Sequence, residues 1–200
     1  ALTPIHDIQG PGNSSPIVGS SVTTRGVVTG VKTNGFCIQE PDATIDADPA
    51  TSEGVFVFTS AAPPASAAVG NLVQVTGTVI EFVPASDPLQ PPLTEISAPT
   101  VTLVSSGNPL PAPVTLTASF PSPAGPYDQL ERVEGMRVTA ASLTASSGTG
   151  GTVTEPSATA SNNGVFYAYV TGVARAFREP GIQPPDPAPA GTIPPIPRWD

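Results

Sequence analysis

The chain contains the stretch SVTTRGVVTGVKTNGFCIQ, from Ser21 to Gln39, whose pattern predicts the first two strands of the fold. Val and Thr dominate its first part, Ser21–Lys32, and their branched side chains fit a pleated sheet. Thr33-Asn34-Gly35 then gives a tight-turn signal, and Phe36–Gln39 continues with apolar residues. The stretch therefore predicts a β-hairpin between a long first strand and a short second strand.

Three further strands are predicted downstream. Gly54–Thr59 is apolar on both faces, which indicates a strand that is covered on both sides. Asn71–Val83 predicts a long fourth strand, and Leu93–Val104 predicts a fifth, with a break at Pro99. Gly77 lies in the middle of the fourth strand and Gly26 in the middle of the first. A glycine inside a long strand predicts a bulge or a sharp bend.

This pattern predicts an all-β domain over residues 1–107, organised as a five-stranded OB-fold-like Greek-key barrel. Ile5–Gln9 is predicted to be a short strand that carries His6. The Ala/Pro-rich connection Ser60–Val69 stands where such barrels often have a short helix.

Residues 108–179 are predicted to form a second β module, with an OB-like arrangement as one alternative. The basis is a faint internal echo, since Gly54-Val55-Phe56 returns as Gly164-Val165-Phe166. Whether the two halves are separate domains stays open. Residues 180–200 are rich in proline and are predicted to form a stiff polyproline II linker.

The composition of the chain bears on its ligands, its disulfides and its location. The net charge of -9 argues against tight nucleic-acid binding by this chain alone, because such binding relies on basic residues. A single cysteine, Cys37, rules out an internal disulfide and is expected to be a small buried residue. No stretch is long and apolar enough to predict a membrane span. Low Lys content and Ser/Thr/Ala/Pro-rich loops favour a location outside a bacterial cell. The absence of a signal peptide at Ala1 does not argue against secretion, because a mature secreted chain has lost its signal peptide.

A series of segments resembles the N-terminal OB-fold region of large secreted bacterial nucleases of the endonuclease/exonuclease/phosphatase type. The segments in the first half are Ile5–Gly10, Ser15–Gly19, Arg25–Thr29, Gly35–Glu40, Asp48–Phe58, Gly70–Val79 and Glu81–Phe82. The weaker matches in the second half are Leu130–Met136, Phe177–Gly181 and Pro197–Asp200.

The resemblance implies an accessory region that precedes a metal-dependent nuclease or phosphoesterase domain. The metal-binding clusters of that catalytic domain have no counterparts in this chain, which ends where the domain would begin. The single histidine, His6, is too few for a catalytic triad or a histidine-based catalytic centre. The chain itself is therefore expected to be non-catalytic.

Two groups of candidate binding residues emerge. Aromatic residues on the second and third OB strands often stack on bases, with cations nearby; the candidates for nucleic-acid binding are Arg25, Lys32, Phe36, Phe56 and Phe58. The acidic loop between these strands offers oxygen ligands that suit calcium; the candidates are Asp42, Asp46, Asp48 and Glu53. A core role for the aromatic residues and a solvated acidic loop are the alternatives.

Three functions are the competing hypotheses. In the first, the chain is expected to capture single-stranded DNA or RNA for the downstream catalytic domain. In the second, it is a structural spacer that docks that domain and has no ligand of its own. A carbohydrate- or surface-binding module is a third alternative, which would need an exposed aromatic platform. The aromatic residues available for such a platform are Tyr127, Tyr167, Tyr169 and Trp199.

Overall fold

The computed structural model describes residues 1–85, 88, 91–122, 125–126, 128–145 and 166–173. The described part is mostly β-structure with one short helix. The elements are α1 (Ile5–Gln9), β1 (Ser21–Lys32), β2 (Gly35–Gln39), β3 (Gly54–Phe58), β4 (Leu72–Phe82), β5 (Leu93–Ser105), β6 (Val114–Thr115), a 3₁₀ turn (Glu131–Val133), β7 (Val138–Thr139), β8 (Leu143–Ala145) and β9 (Ala168–Val170). The five strands predicted for the first half are present, each with ends within one residue of the prediction.

The prediction that Ile5–Gln9 is a strand was wrong, because this segment is the helix α1. Pro4 precedes it with φ -57, and Gly10 follows it with φ 69, a positive value that glycine adopts readily. Ile5 and Ile8 are three residues apart, lie on one face of the helix and are fully buried. That spacing, bounded by proline and glycine, was the helical signal in the sequence. The connection at residues 60–71 forms turns and no helix.

Strands β1 to β5 form one mixed sheet in the order β1-β2-β3-β5-β4. β1 also pairs with β4, in antiparallel fashion, so that the sheet closes on itself as a barrel. β3 and β5 pair in parallel, with Phe56 opposite Glu95, and the other pairings are antiparallel. This order places the outer sides of β2, β3 and β5 next to one another on one surface.

The interior of the barrel is apolar and closely packed. Val55 and Val57 of β3 face inward and are fully buried, as are Phe36 and Ile38 of β2. The isoleucines of α1 belong to the same cluster, so the helix contributes directly to the core. Full burial of one such side chain stabilises the fold by roughly 1.5–3 kcal/mol.

The two long strands bend where their pairing is irregular. The pairing of β4 with β5 shifts register between Thr76 and Thr78, as expected for the bulge that Gly77 predicts. A Cβ at Gly77 would lie 2.6 Å from Ile96 Cγ2, so only glycine fits there. In β1 the register shift falls between Val28 and Gly30, slightly after the predicted position at Gly26.

The second half shows short pairings in its described part. β6 pairs with β7 in parallel, and β8 pairs with β9 in antiparallel fashion. The predicted OB-like second module depends largely on residues 146–165 and 174–179, which lie outside the described residues, as does the predicted polyproline linker at residues 180–200. Among the residues that the structure describes, no helix has the length and apolar character needed to cross a lipid bilayer.

Candidate functional site: the outer face of β2, β3 and β5

The outer face of β2, β3 and β5 is covered at one end by the chain's own segment Glu134–Arg137, here called the docked segment. The Arg137 N–H donates a hydrogen bond to Gln39 Oε1 at 2.9 Å, and Gln39 is almost fully buried at the end of β2. Ser52 Oγ, just before β3, donates to the Glu134 carbonyl oxygen at 2.6 Å. Buried polar side chains need hydrogen-bond partners, and the docked segment supplies them for Gln39 and Ser52.

The backbones of β3 and the docked segment lie in direct contact. A Cβ on Gly54 would overlap the Gly135 backbone, so glycine is required at this crossing. Gly135 has φ 69, which also favours glycine. The adjacent Glu53 N–H lies 3.4 Å from the Met136 sulfur and donates to it.

The side chain of Glu134 connects the docked segment to two further elements. Its Oε1 accepts hydrogen bonds from the Thr94 N–H of β5 at 3.1 Å and from Gln9 Nε2 of α1 at 3.3 Å. Gln9 Nε2 also donates to the Gly54 carbonyl oxygen at 2.6 Å. Four elements, α1, β2, β3 and β5, therefore converge on this short segment.

The environment of Glu134 disfavours its charge. Burial raises the pKa of Glu134 to about 8, with a further contribution from the nearby Glu131 and Glu81 carboxylates, although the two hydrogen bonds oppose the shift. Burial likewise raises the pKa of Glu95 to about 7, opposed by the Lys32 charge. Burial therefore disfavours the charged form of both carboxyl groups on the covered face.

The structure separates the three aromatic candidates for base stacking. Phe36 lies in the core with no exposed surface, so its ring cannot stack on a base and this prediction was wrong. Phe56 and Phe58 share the outer face of β3; Phe56 is 6% exposed and Phe58 is half-buried. The aromatic surface left for a ligand on this strand is small.

The two basic candidates lie far apart on β1. Lys32 pairs with Gly35 of β2, and its Nζ lies 5.4 Å from the centroid of the Phe56 ring. Arg25 pairs instead with Gln74 of β4 and donates to Gln74 Oε1 at 2.9 Å. The two residues are seven positions apart along β1, which separates their Cα atoms by roughly 20 Å. Arg25 and Lys32 therefore do not form one cationic patch.

The acidic loop does not gather its four predicted ligands around one point. Asp42 Oδ1 accepts a hydrogen bond from the Ala112 N–H, and Asp48 Oδ1 accepts one from the Ala50 N–H. Both aspartates are exposed and engaged within turns or with the following chain. Asp46 and Glu53 do meet, since the Asp46 N–H donates to Glu53 Oε1 at 2.9 Å.

Asp46 and Glu53 both lie beside His6 of α1. His6 Nδ1 lies 3.3 Å from Glu53 Oε2 and 3.9 Å from Asp46 Oδ2. Burial alone would lower the pKa of His6, but the carboxylates of Glu53, Asp46 and Asp7 outweigh it, so the pKa is raised from 6.5. Burial also raises the pKa of Glu53, against the hydrogen bonds from Asp46 and His6.

A cleft of about 300 Å³ lies elsewhere, between the turn that follows α1 and the segment before the 3₁₀ turn. Its lining includes Asn13, Phe120, Glu131 and Arg132. The Arg132 guanidinium stacks 3.7 Å from the Phe120 ring centroid, so its charge is already engaged there. None of the binding residues predicted from sequence lines this cleft.

Several residues of the covered face were missed by sequence reasoning. Gln9, Gln39 and Ser52 are buried polar side chains that hold the docked segment, and Glu40 is a buried carboxylate beside His6. The available signal was a polar pair, Gln39-Glu40, at the end of an otherwise apolar strand. A buried polar residue in that position indicates a partner from another part of the chain.

No protein-family model, no curated protein and no solved structure matches this chain. The function of the molecule is therefore inferred from its own geometry and from the sequence features described above.

Proposed function

We propose that residues 1–107 form an OB-fold that acts as a non-catalytic scaffold, docking the chain that follows it within a larger secreted bacterial nuclease. The strand order β1-β2-β3-β5-β4, with β3 parallel to β5, supports the OB-fold assignment. The segments that resemble secreted nucleases support the parent protein and its extracytoplasmic location. The partner is then the catalytic domain of the same polypeptide.

The docked segment Glu134–Arg137 is the observation that carries this proposal. OB-folds bind oligonucleotides over the face of strands 2 and 3. Here the docked segment contacts that face at two points: it donates a hydrogen bond to the Gln39 side chain, and it packs against the Gly54 backbone. A barrel whose binding face holds its own chain is suited to positioning that chain.

The net charge of the whole chain also favours a scaffold. Glu95 is buried beside Phe56 in the β3–β5 pairing, with Lys32 nearby. The whole chain carries -9, so phosphate groups would meet a repulsive field. The buried Phe56 fits the same interpretation.

Capture of single-stranded nucleic acid is the second candidate. Lys32 lies over Phe56 next to the half-buried Phe58, which is the kind of aromatic and cationic pair that accepts a base and a phosphate. This arrangement is local, because Phe56 is buried and Phe58 is only partly exposed.

Hydrogen exchange and anisotropy together test the scaffold. We expect the Arg137 amide, bonded to Gln39, to exchange slowly, and we expect fluorescein-labelled oligothymidine not to bind at low salt. An unprotected Arg137 amide would contradict docking in solution. Salt-dependent oligonucleotide binding that Lys32→Ala abolishes and Arg25→Ala preserves would replace the scaffold with the capture function.

A further inference from the structure

We propose that His6, Glu40 and Glu53, assisted by Asp46, form a binding site for a zinc-like divalent ion that ties α1 to the entry of β3. This site does not rest on the scaffold function, although the Glu53 N–H also donates to the Met136 sulfur of the docked segment. It rests on the position of four side chains, one from α1 and three from the loop between β2 and β3.

The strands bring the two glutamates together. Glu40 follows β2 and Glu53 precedes β3, and the Glu40 N–H donates to the Glu53 carbonyl oxygen at 2.9 Å. This bond continues the antiparallel pairing of β2 with β3 by one step, so the two carboxylates lie side by side. Both residues are buried.

The helix brings the imidazole to the same place. Ile5 and Ile8 anchor α1 in the core, and the Ile5 N–H donates to Glu40 Oε1 at 2.9 Å. His6, next to Ile5, therefore faces the two glutamates. One nitrogen of His6 and one carboxylate oxygen from each of Glu40 and Glu53 lie within 4.8 Å of one another.

These distances are close to those of a metal site. An ion about 2.1 Å from each of its ligands in tetrahedral geometry holds the ligand atoms about 3.4 Å apart. The His6–Glu53 distance of 3.3 Å already meets that spacing, and Asp46 Oδ2 lies 3.9 Å from the same nitrogen. A small inward movement of Glu40 and Asp46 would complete four ligands.

The charge of the group favours a cation. Glu53 is 8% exposed and Asp46 27% exposed, and within the described part of the chain the ion pairs at these carboxylates come from His6 alone. Buried charges are normally paired or bound to metals. A single imidazolium balances only one of the three carboxylates, whereas a divalent ion bound by neutral His6 balances two.

The mixture of ligands decides between ions. Calcium prefers six to eight oxygen ligands, and two of the four loop residues predicted for it, Asp42 and Asp48, are engaged elsewhere. An imidazole nitrogen combined with carboxylates suits zinc and its transition-metal neighbours. The ion would clamp the acidic loop to α1 and has no assigned catalytic role.

The test uses the untagged chain, stripped of metal, and zinc chloride alone as the probe. Because His6 is the single histidine, its ring nitrogens give one unambiguous set of NMR signals. We expect calorimetry to show one zinc per chain and the His6 nitrogen signals to shift in proportion to occupancy. Absence of binding, or binding that leaves the His6 signals unmoved, would overturn the site.

Matched variants locate the ligands. His6→Gln and Glu53→Gln should each weaken zinc binding by at least roughly 10-fold, since even the groups that orient metal ligands are worth that much. Asp48→Asn makes the same charge change as Glu53→Gln, in the same loop, and should leave the affinity unchanged. Wild-type zinc affinity in His6→Gln, with circular dichroism showing a folded chain, would refute the proposal, as would tighter binding of calcium than of zinc.

Discussion

Gly54 on β3 and Gly135 in the docked segment cross so closely that neither position has room for a side chain. A Cβ on Gly54 would overlap the Gly135 backbone, and a Cβ on Gly135 would lie 2.9 Å from the Val55 nitrogen. The contact joins residues that are far apart in sequence, and four elements of the barrel region surround it. It is therefore a sensitive point at which to test whether the segment is docked in solution.

Gly54→Ala should displace the docked segment. The new methyl group cannot fit against the Gly135 backbone, and overpacking of this kind costs about 1–3 kcal/mol of unfolding free energy. Urea denaturation measures that loss, and hydrogen exchange should show faster exchange of the Arg137 amide. Gly30→Ala is the matched control, because nothing lies within 4 Å of a Cβ there. Equal effects of the two substitutions would mean that the contact is absent in solution.

The stability of the fold should fall as the pH rises from about 4.5 to about 8. The pKa of Glu134 is raised from 4.5 to about 8, so in this window the unfolded chain loses the proton that the folded chain keeps. The folded state then binds more protons, which makes unfolding easier with rising pH, by up to about 1.4 kcal/mol per pH unit. Glu95, with a pKa raised to about 7, acts in the same direction.

Glu134→Gln isolates this effect. A glutamine stays neutral and its Oε1 can still accept from Thr94 and Gln9. Urea titrations at pH 5 and pH 8 should therefore differ less for Glu134→Gln than for the wild-type chain. A variant with the same pH dependence as the wild type would show that Glu134 ionises normally in the folded protein.

Ile8→Ala should destabilise the fold by about 2–5 kcal/mol, because it leaves a cavity where a fully buried side chain was. The measurement is the midpoint of thermal or urea unfolding. Leu2→Ala removes the same number of carbons just before α1, but Leu2 is 48% exposed and the change should fall within about 0.5 kcal/mol. Similar losses in both variants would place α1 outside the core.

The strands were predictable because their local signals agree with their environment. Val55 and Val57 alternate with Phe56 and Phe58, and the structure buries the valines inside and covers Phe56 outside. The Gly77 bend followed from the need for close backbone approach. Such features depend on neighbours in the sequence or on the sheet itself, so they can be read from one chain.

The covered face and the His6 group were not predictable in the same way. Gln39 meets Arg137 across 98 positions, and His6 meets Glu53 across 47. Neither pairing has a periodic signal, and the helical turn that orients His6 was interpreted as a strand. Phe36 failed as a binding candidate because strand alternation leaves open which face is interior until the closure of the sheet is known.

Cys37 should be a slow-reacting thiol that reports on the same face. It lies on β2 opposite Phe56 of β3, and burial raises its pKa from 9.0 to about 11, with the nearby Lys32 charge opposing the shift. Because the thiolate is the reactive form, a shift from 9.0 to about 11 lowers its fraction about 100-fold near pH 8. We expect a disulfide reagent such as DTNB to react at least that much more slowly with the folded chain than with the urea-unfolded chain.

Gly54→Ala should accelerate the reaction if undocking loosens β2 and β3, whereas Gly30→Ala should react more nearly at the wild-type rate. Rapid labelling of the folded wild-type chain would show that this face is open in solution.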